Sequence, residues 1–197
     1  MASITLKQAA AWCGGSVDEK YADVTFRIAH NRTEQPFEFD LCVSADPLQE
    51  ENLCAVSLMR EELRLAVAVK DPMAQQKNVN FAALKDRRFV LMPEPNSVNR
   101  MVNMLGAQNG FTPQIGILCD DPLYVRKYVA MGLGVTLAPM VSWKGLFGTD
   151  TVLIPLSDAG QPIYRTTHLF WHEHRSMPQR VKLFRSLIME SFAAESV

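Results

Sequence analysis

The middle of the chain alternates between apolar runs and amphipathic stretches, with short polar breaks between them. The run at 63–70 (LRLAVAVK) is apolar and preceded by the charged Arg60, Glu61 and Glu62, so it reads as a buried strand followed by the loop KDPMAQ. NFAALKD predicts a short helix capped by Asn80, and 88–92 (RFVLM) predicts the next strand. In PEPNSVNRMVNMLGAQNG, two prolines stop that strand and Asn96 or Ser97 can cap a helix. Val98, Met101, Val102 and Leu105 then recur at i, i+3, i+4 and i+7 on one helical face, and Gly110 ends it. QIGILC is a third strand. It closes at Asp120 and Asp121, where an aspartate N-cap followed by Pro122 at the first helical position predicts another helix with Tyr124, Val125, Tyr128, Val129 and Gly132 in one stripe. VTLAP is the fourth strand.

Strand and helix alternating over short connections predicts an α/β sheet that is parallel and covered on both faces. Gly132 and Gly134 suit a left-handed helix end and a close approach of the helix to the strand. In such sheets ligands sit beyond the carboxyl ends of the strands, where helix N-termini point N–H groups outward. Those positions are here 93–99 and 120–123. The flanks differ: DVTFRIA and FDLCVS read as strands around a polar loop, and YRTTHLFWHEH as a late strand. SMPQRVKLFRSLIMESF reads as a last helix, with Ser176 and Gln179 in capping-box spacing and Phe184, Leu187, Ile188 and Phe192 toward a core. The expected organisation is two α/β lobes, residues 1–61 with 166–197 and residues 62–165, joined by two crossing segments.

Composition narrows the functional classes. With 20 Lys and Arg against 21 Asp and Glu, the chain has no basic footprint for a phosphate backbone, so direct nucleic-acid contact is not expected. Its 4 cysteines lack CxxC spacing, which suits reduced thiols of a cytoplasmic protein. No stretch reaches the roughly 18 apolar residues of a membrane helix. His172 and His174 stand at i, i+2 on one strand; they are expected to be solvated strand-end residues, with no metal site and no cofactor implied. No G-x-S-x-G elbow or assignable carboxylate pair is present, so no catalytic residue is expected.

The order VTFRIAHNRT, FDLCVS, EELRLAVAVKDPMA and FVLMPEPNSVNRMVNMLGAQNGFTPQIGILCDDPLYVRKYVAMGLGVTLAP resembles the effector-binding domain of LysR-type transcriptional regulators. Asp71-Pro72-Met73-Ala74 stands where that family has a His-Pro-Leu-Ala-like motif, and the stretch from Gly132 to Pro139 resembles its G-x-G-to-Pro signature. The resemblance implies a two-lobe type 2 periplasmic-binding-protein-like fold, each lobe a mostly parallel sheet flanked by helices. A small-molecule effector would lie between the lobes, a homodimer would carry the signal, and DNA would be reached only through a winged helix-turn-helix domain absent from this chain. The short PFE between the first two strands leaves no room for the helix that the family carries there, so lobe I is expected to be shortened. The implied ligand-binding residues are Asn31, Arg32 and Thr33 in the first lobe, and Asn96, Ser97, Asn99, Asp120, Asp121 and Leu123 in the second. Plain capping, at about 1 kcal/mol each, is the favoured reading for Asn96, Ser97 and Asp121 taken singly, since helix starts need caps with or without a ligand. If Asp120 and Asp121 both face the ligand, a cationic or neutral effector is expected. The alternative functional expectation is a stand-alone solute-binding or dehydratase-like protein of the same fold.

Overall fold

The computed structural model describes residues 2–5, 25–28, 40–45, 48 and 52–194. The chain divides into two compact units, Met1–Arg60 with Thr166–Val197, and Glu61–Arg165.

In the first unit, β1 (Ala2–Thr5) pairs antiparallel with β2 (Thr25–Ile28), Ala2 opposite Ile28. The short β3 (Cys42–Ser44) pairs antiparallel with the late strand β11 (Tyr164–His172), and β11 lies beside the first half of β4 (Leu53–Ala68). The last helix, α3 (Gln179–Ala194), buries Ile188 against Leu58 and Leu169. It begins after Pro178, whose carbonyl accepts from Val181 and Lys182 N–H. A proline has no N–H to leave orphaned there, so the helix starts three residues past Ser176 and the expected capping box does not form.

The second unit is built on a mixed sheet. β6 (Arg88–Leu91) runs parallel to β7 (Gln114–Leu118) on one side. On the other side it bonds to the start of β8 (Thr136–Pro139): Val90 N–H donates to Val135 O, and Val135 N–H to Arg88 O, both at 2.9 Å. These three parallel neighbours are the part that strand-helix alternation predicts. β4 then pairs antiparallel with β8 (Leu63 opposite Pro139) and with β9 (Thr151–Asp158), which also takes the short β5 (Val79–Asn80) and β10 (Gln161–Pro162).

Period-two alternation sends side chains to two apolar layers. On one face Leu63, Leu65, Phe89, Leu91 and Leu137 pack with Val98, Val102 and Leu105 of α1 (Ser97–Gln108). On the other, Ala66, Val90 and Ala138 meet Val125 and Val129 of α2 (Pro122–Ala130). Each fully buried leucine or phenylalanine contributes about 1.5–3 kcal/mol, so the sheet between its two helices forms the core of this unit. The stripe expected on α2 splits. Val125 and Val129 are buried, whereas Tyr124 stacks on Tyr128 and stays half exposed, because the sheet's small Ala66 and Ala138 leave contact for the two valines.

Local signals hold where they are short-range. Asn80 caps a 3-10 helix, Phe81–Leu84, by accepting Ala82 N–H at 2.9 Å. The KDPMAQ stretch, expected to be a loop, instead holds a second 3-10 helix, Pro72–Gln75, because Asp71 accepts Met73 N–H with Pro72 at the first position; the Asp71 carboxylate is paired with Arg87. Gly132 adopts φ +75°, the left-handed helix end. Gly134 lies so close to β6 that an added Cβ would stand 2.6 Å from Arg88 O and 3.0 Å from Val90 Cγ2.

Two strands exceed what periodicity predicts. β4 is one 16-residue strand that continues through the charged Arg60-Glu61-Glu62 run, and β9 carries no clean alternation because Pro155 and Ser157 interrupt it. Gly134→Ala is expected to destabilise the protein by about 1–3 kcal/mol, since the clash is with backbone. Gly132→Ala, strained but facing open space, is expected to lose about 1–2 kcal/mol. Urea unfolding of both variants measures the difference.

Candidate functional site

The parallel strands β6, β7 and β8 end at one edge of the second unit's sheet. Past β6 comes the start of α1, past β7 the start of α2, and past β8 a turn through Val141 and Ser142; Cys119 N–H donates to Leu91 O at 3.0 Å, tying the first two ends together. Antiparallel β4 enters the unit at the same edge, where Met140 N–H donates to Glu62 O at 3.0 Å.

At α1, Asn96 is the N-cap and its Oδ1 accepts Val98 N–H at 3.0 Å. Its Nδ2 approaches Met92 Sδ at 3.6 Å. Asn99 is buried, donating through Nδ2 to Met92 O at 2.8 Å and accepting from Asn103 Nδ2 at 2.8 Å. Ser97 is buried as well, and its Oγ accepts from Arg165 Nη1 at 2.8 Å. At α2, Asp121 is the N-cap, with Oδ1 accepting Leu123 N–H at 2.8 Å, while the Leu123 side chain is half exposed. The sheet therefore brings Asn96, Ser97, Asn99, Asp120, Asp121 and Leu123 to one edge. Asn31, Arg32 and Thr33 lie outside the described residues. Cys119, just before the two aspartates, has its thiol pushed up by burial and then by the charges of Asp120 and Asp121, which disfavours the thiolate.

The strongest interaction at this edge lies outside the expected site residues. Glu61 is fully buried and its Oε1 accepts from Arg165 Nε at 3.0 Å and Nη2 at 2.5 Å. Ser142 Oγ donates to the same oxygen at 2.7 Å and accepts from Arg165 Nη2 at 2.8 Å. Oε2 accepts Val141 N–H at 3.0 Å and Ser142 N–H at 2.8 Å. Burial opposes ionisation of Glu61, but the Ser142 N–H and hydroxyl and the Arg165 guanidinium outweigh it and hold its pKa below the ordinary range. The sequence offers little signal for the pair, since Glu61 is the middle of three consecutive charged residues and Arg165 stands 104 positions away. Buried charges are tolerated only when they meet.

Other features offer less. A recess beside Pro139, Met140, Trp143 and Phe147 measures about 100 Å³, well under the roughly 300–1,000 Å³ of a typical small-molecule pocket. Among the described residues no group of three His, Cys, Asp or Glu side chains comes together in a way that would hold a metal ion. No helix among them is long and apolar enough to cross a membrane.

This fold and edge define a class. The profile of the LysR substrate binding domain matches residues 15–193, and the chain belongs to that family. It is 22% identical over 185 residues to the uncharacterized HTH-type transcriptional regulator YybE of Bacillus subtilis (strain 168), covering 91% of this chain and 62% of that protein. It is 26% identical over 136 residues to the transcriptional dual regulator GltC of the same organism, covering 69% of this chain and 45% of that protein. The chain thus spans about half to three-fifths of the length of these relatives. In structure it is similar to the effector binding domain of QuiR in complex with shikimate, with a TM-score of 0.68 and 16% identity over 80% of this chain and 73% of that one. The fold is accordingly the type 2 periplasmic-binding-protein-like fold of LysR effector domains, and the chain is an effector-binding regulatory domain.

Arg165→Met is expected to cost about 3–5 kcal/mol, because it leaves the Glu61 carboxylate buried without its counter-charge. With its folded pKa depressed, Glu61 contributes stability that is present above its unfolded pKa and lost as pH falls through the folded value, below the ordinary glutamate range. Asp71, where burial is outweighed by Arg87 and the Met73 N–H, titrates in the same direction. Urea unfolding from pH 7 to pH 3 is expected to show this acid slope, shallower in Glu61→Gln.

Proposed function

We propose that this chain binds a small-molecule effector at the edge where β6, β7 and β8 end, and that binding shifts the population of conformations passed on to DNA-binding domains. The observation that carries the reading is the convergence of two helix starts and the buried Ser97 hydroxyl at one sheet end, in a chain whose family match spans residues 15–193. Helix starts supply N–H groups oriented outward at little reorganisation cost. Ser97 is the central contact, with Asn96 and Asn99 shaping the helix start beside it and Asp120, Asp121 and Leu123 forming the second wall. Asn31, Arg32 and Thr33 are proposed as the first unit's contribution. Residues 1–61 with 166–197 serve as regulatory lobe I and 62–165 as lobe II. The domain works as a cytoplasmic homodimer without catalytic activity, and DNA is contacted through a winged helix-turn-helix in the full-length protein.

Thermal-shift measurements against small metabolites sorted by charge, shikimate included, test this reading. A ligand selective for the folded state is expected to raise Tm saturably, by the equivalent of about 2.7 kcal/mol at a hundred times its Kd, and Ser97→Ala is expected to abolish most of the shift. Shifts that persist unchanged in Ser97→Ala, or a library with no saturable hit, would sink the assignment.

A further inference from the structure

The end of α1 opposite Ser97 carries a polar latch. Asn109 is the C-cap of the helix, and its Nδ2 donates to Leu105 O and to Asp158 Oδ1, both at 2.9 Å. A carbonyl and a carboxylate only accept, so the position needs an amide nitrogen, and an acid there has nothing to donate. The bond to Asp158 joins α1 to the hairpin of β9 and β10, where Asp158 stands opposite Gln161. The residue after Asn109 is glycine because the turn that ends the helix holds it at φ +75°. The helix stop thereby creates the only Asn-Gly pair in the sequence.

In such a pair the asparagine side chain is most open to attack by the following backbone nitrogen, since glycine has no Cβ to shield that nitrogen. The Gly110 nitrogen loses its proton to solvent and bonds to Asn109 Cγ; the Cγ–Nδ2 bond breaks, ammonia leaves, and the cyclic imide then takes up a water. Ring opening at Cγ leaves aspartate. Opening at the main-chain carbonyl leaves isoaspartate, which adds a carbon to the backbone. The fold opposes the first step. Leu105 O and Asp158 hold the Asn109 amide, and Gly110 N–H is engaged with Ala107 O at 3.1 Å. Attack therefore requires this end of α1 to open.

We propose that Asn109 is a deamidation site that the folded chain holds shut, and that its conversion unlatches α1 from the β9–β10 hairpin. Aspartate at this position sets a second carboxylate against Asp158 in place of a hydrogen bond. Isoaspartate lengthens the main chain in a turn without slack. Phe111 N–H donates there to Gly106 O at 2.9 Å, a Cβ on Gly106 would stand 2.6 Å from Pro113 Cδ, and the Phe111 ring stacks on Phe81 with centroids 5.7 Å apart. Either product closes less well than the original, so the modified fraction records how often this end of the unit has opened.

The test incubates the whole wild-type chain, folded and in urea at the same pH, and follows each asparagine by peptide mapping with mass spectrometry. In urea Asn109 is expected to convert before any other asparagine, and folding is expected to slow that conversion by about tenfold or more. Equal rates in the two states, or another asparagine converting first in urea, overturn the proposal. No variant is needed for this comparison, so it decides the site even where a substitution prevents folding. The latch is read by urea unfolding. Asn109→Asp is expected to lower the folded-to-unfolded ratio by about tenfold in the wild-type background, but by less than about threefold beside Asp158→Asn, whose amide offers the new carboxylate a donor. An equal loss in both backgrounds would show that conversion does not act through Asp158 and would overturn the unlatching.

Discussion

The second unit depends on one buried ion pair. Taking a carboxylate and a guanidinium out of water costs several kcal/mol each, and only near-complete hydrogen bonding offsets that. Glu61 and Arg165 meet this condition by recruiting the turn after β8: the Val141 and Ser142 N–H groups, which no strand partner takes up, fall on one carboxylate oxygen, while the guanidinium and the Ser142 hydroxyl share the other. These residues are the first and last of the unit, so the same pair joins the strand that enters it to the strand that leaves. Through Nη1 it also reaches Ser97 and ties the crossing strands to the start of α1.

That arrangement gives the sheet edge two chemically different corners. At α1 the polar side chains are satisfied internally: Asn96 caps the helix, Asn99 bonds to Met92 O and Asn103, and the buried Ser97 accepts from Arg165. At α2 the corner is acidic, with Asp121 capping the helix and both aspartates raising the Cys119 thiol.

Much of this framework is legible in the sequence because it is local. Asn80, Asn96 and Asp121 cap their helices through side-chain bonds spanning 2 residues, the range over which sequence pattern acts. Val98, Val102 and Leu105 fall on one face for the same reason, and Gly132 ends α2 in the only backbone region its turn allows. The resemblance in the G-x-G-to-Pro stretch also points to the family that the wider comparison shows. What stays hidden depends on partners far away. Periodicity starts β4 only at Leu63, because three consecutive charged residues do not read as strand, and it passes over β9, which carries a proline and a serine.

The sequence alone therefore determined most of the alternating elements of the second unit, the caps at Asn80, Asn96 and Asp121, and the helix faces turned to the core. Each of these follows from side-chain periodicity or from bonds within one turn of chain. Only the tertiary structure decided that Glu61 is buried, that Arg165 lies on it from 104 residues away, and that the same guanidinium reaches Ser97. The energy of a buried charge is set by what surrounds it in space, and no run of neighbouring residues specifies that surrounding.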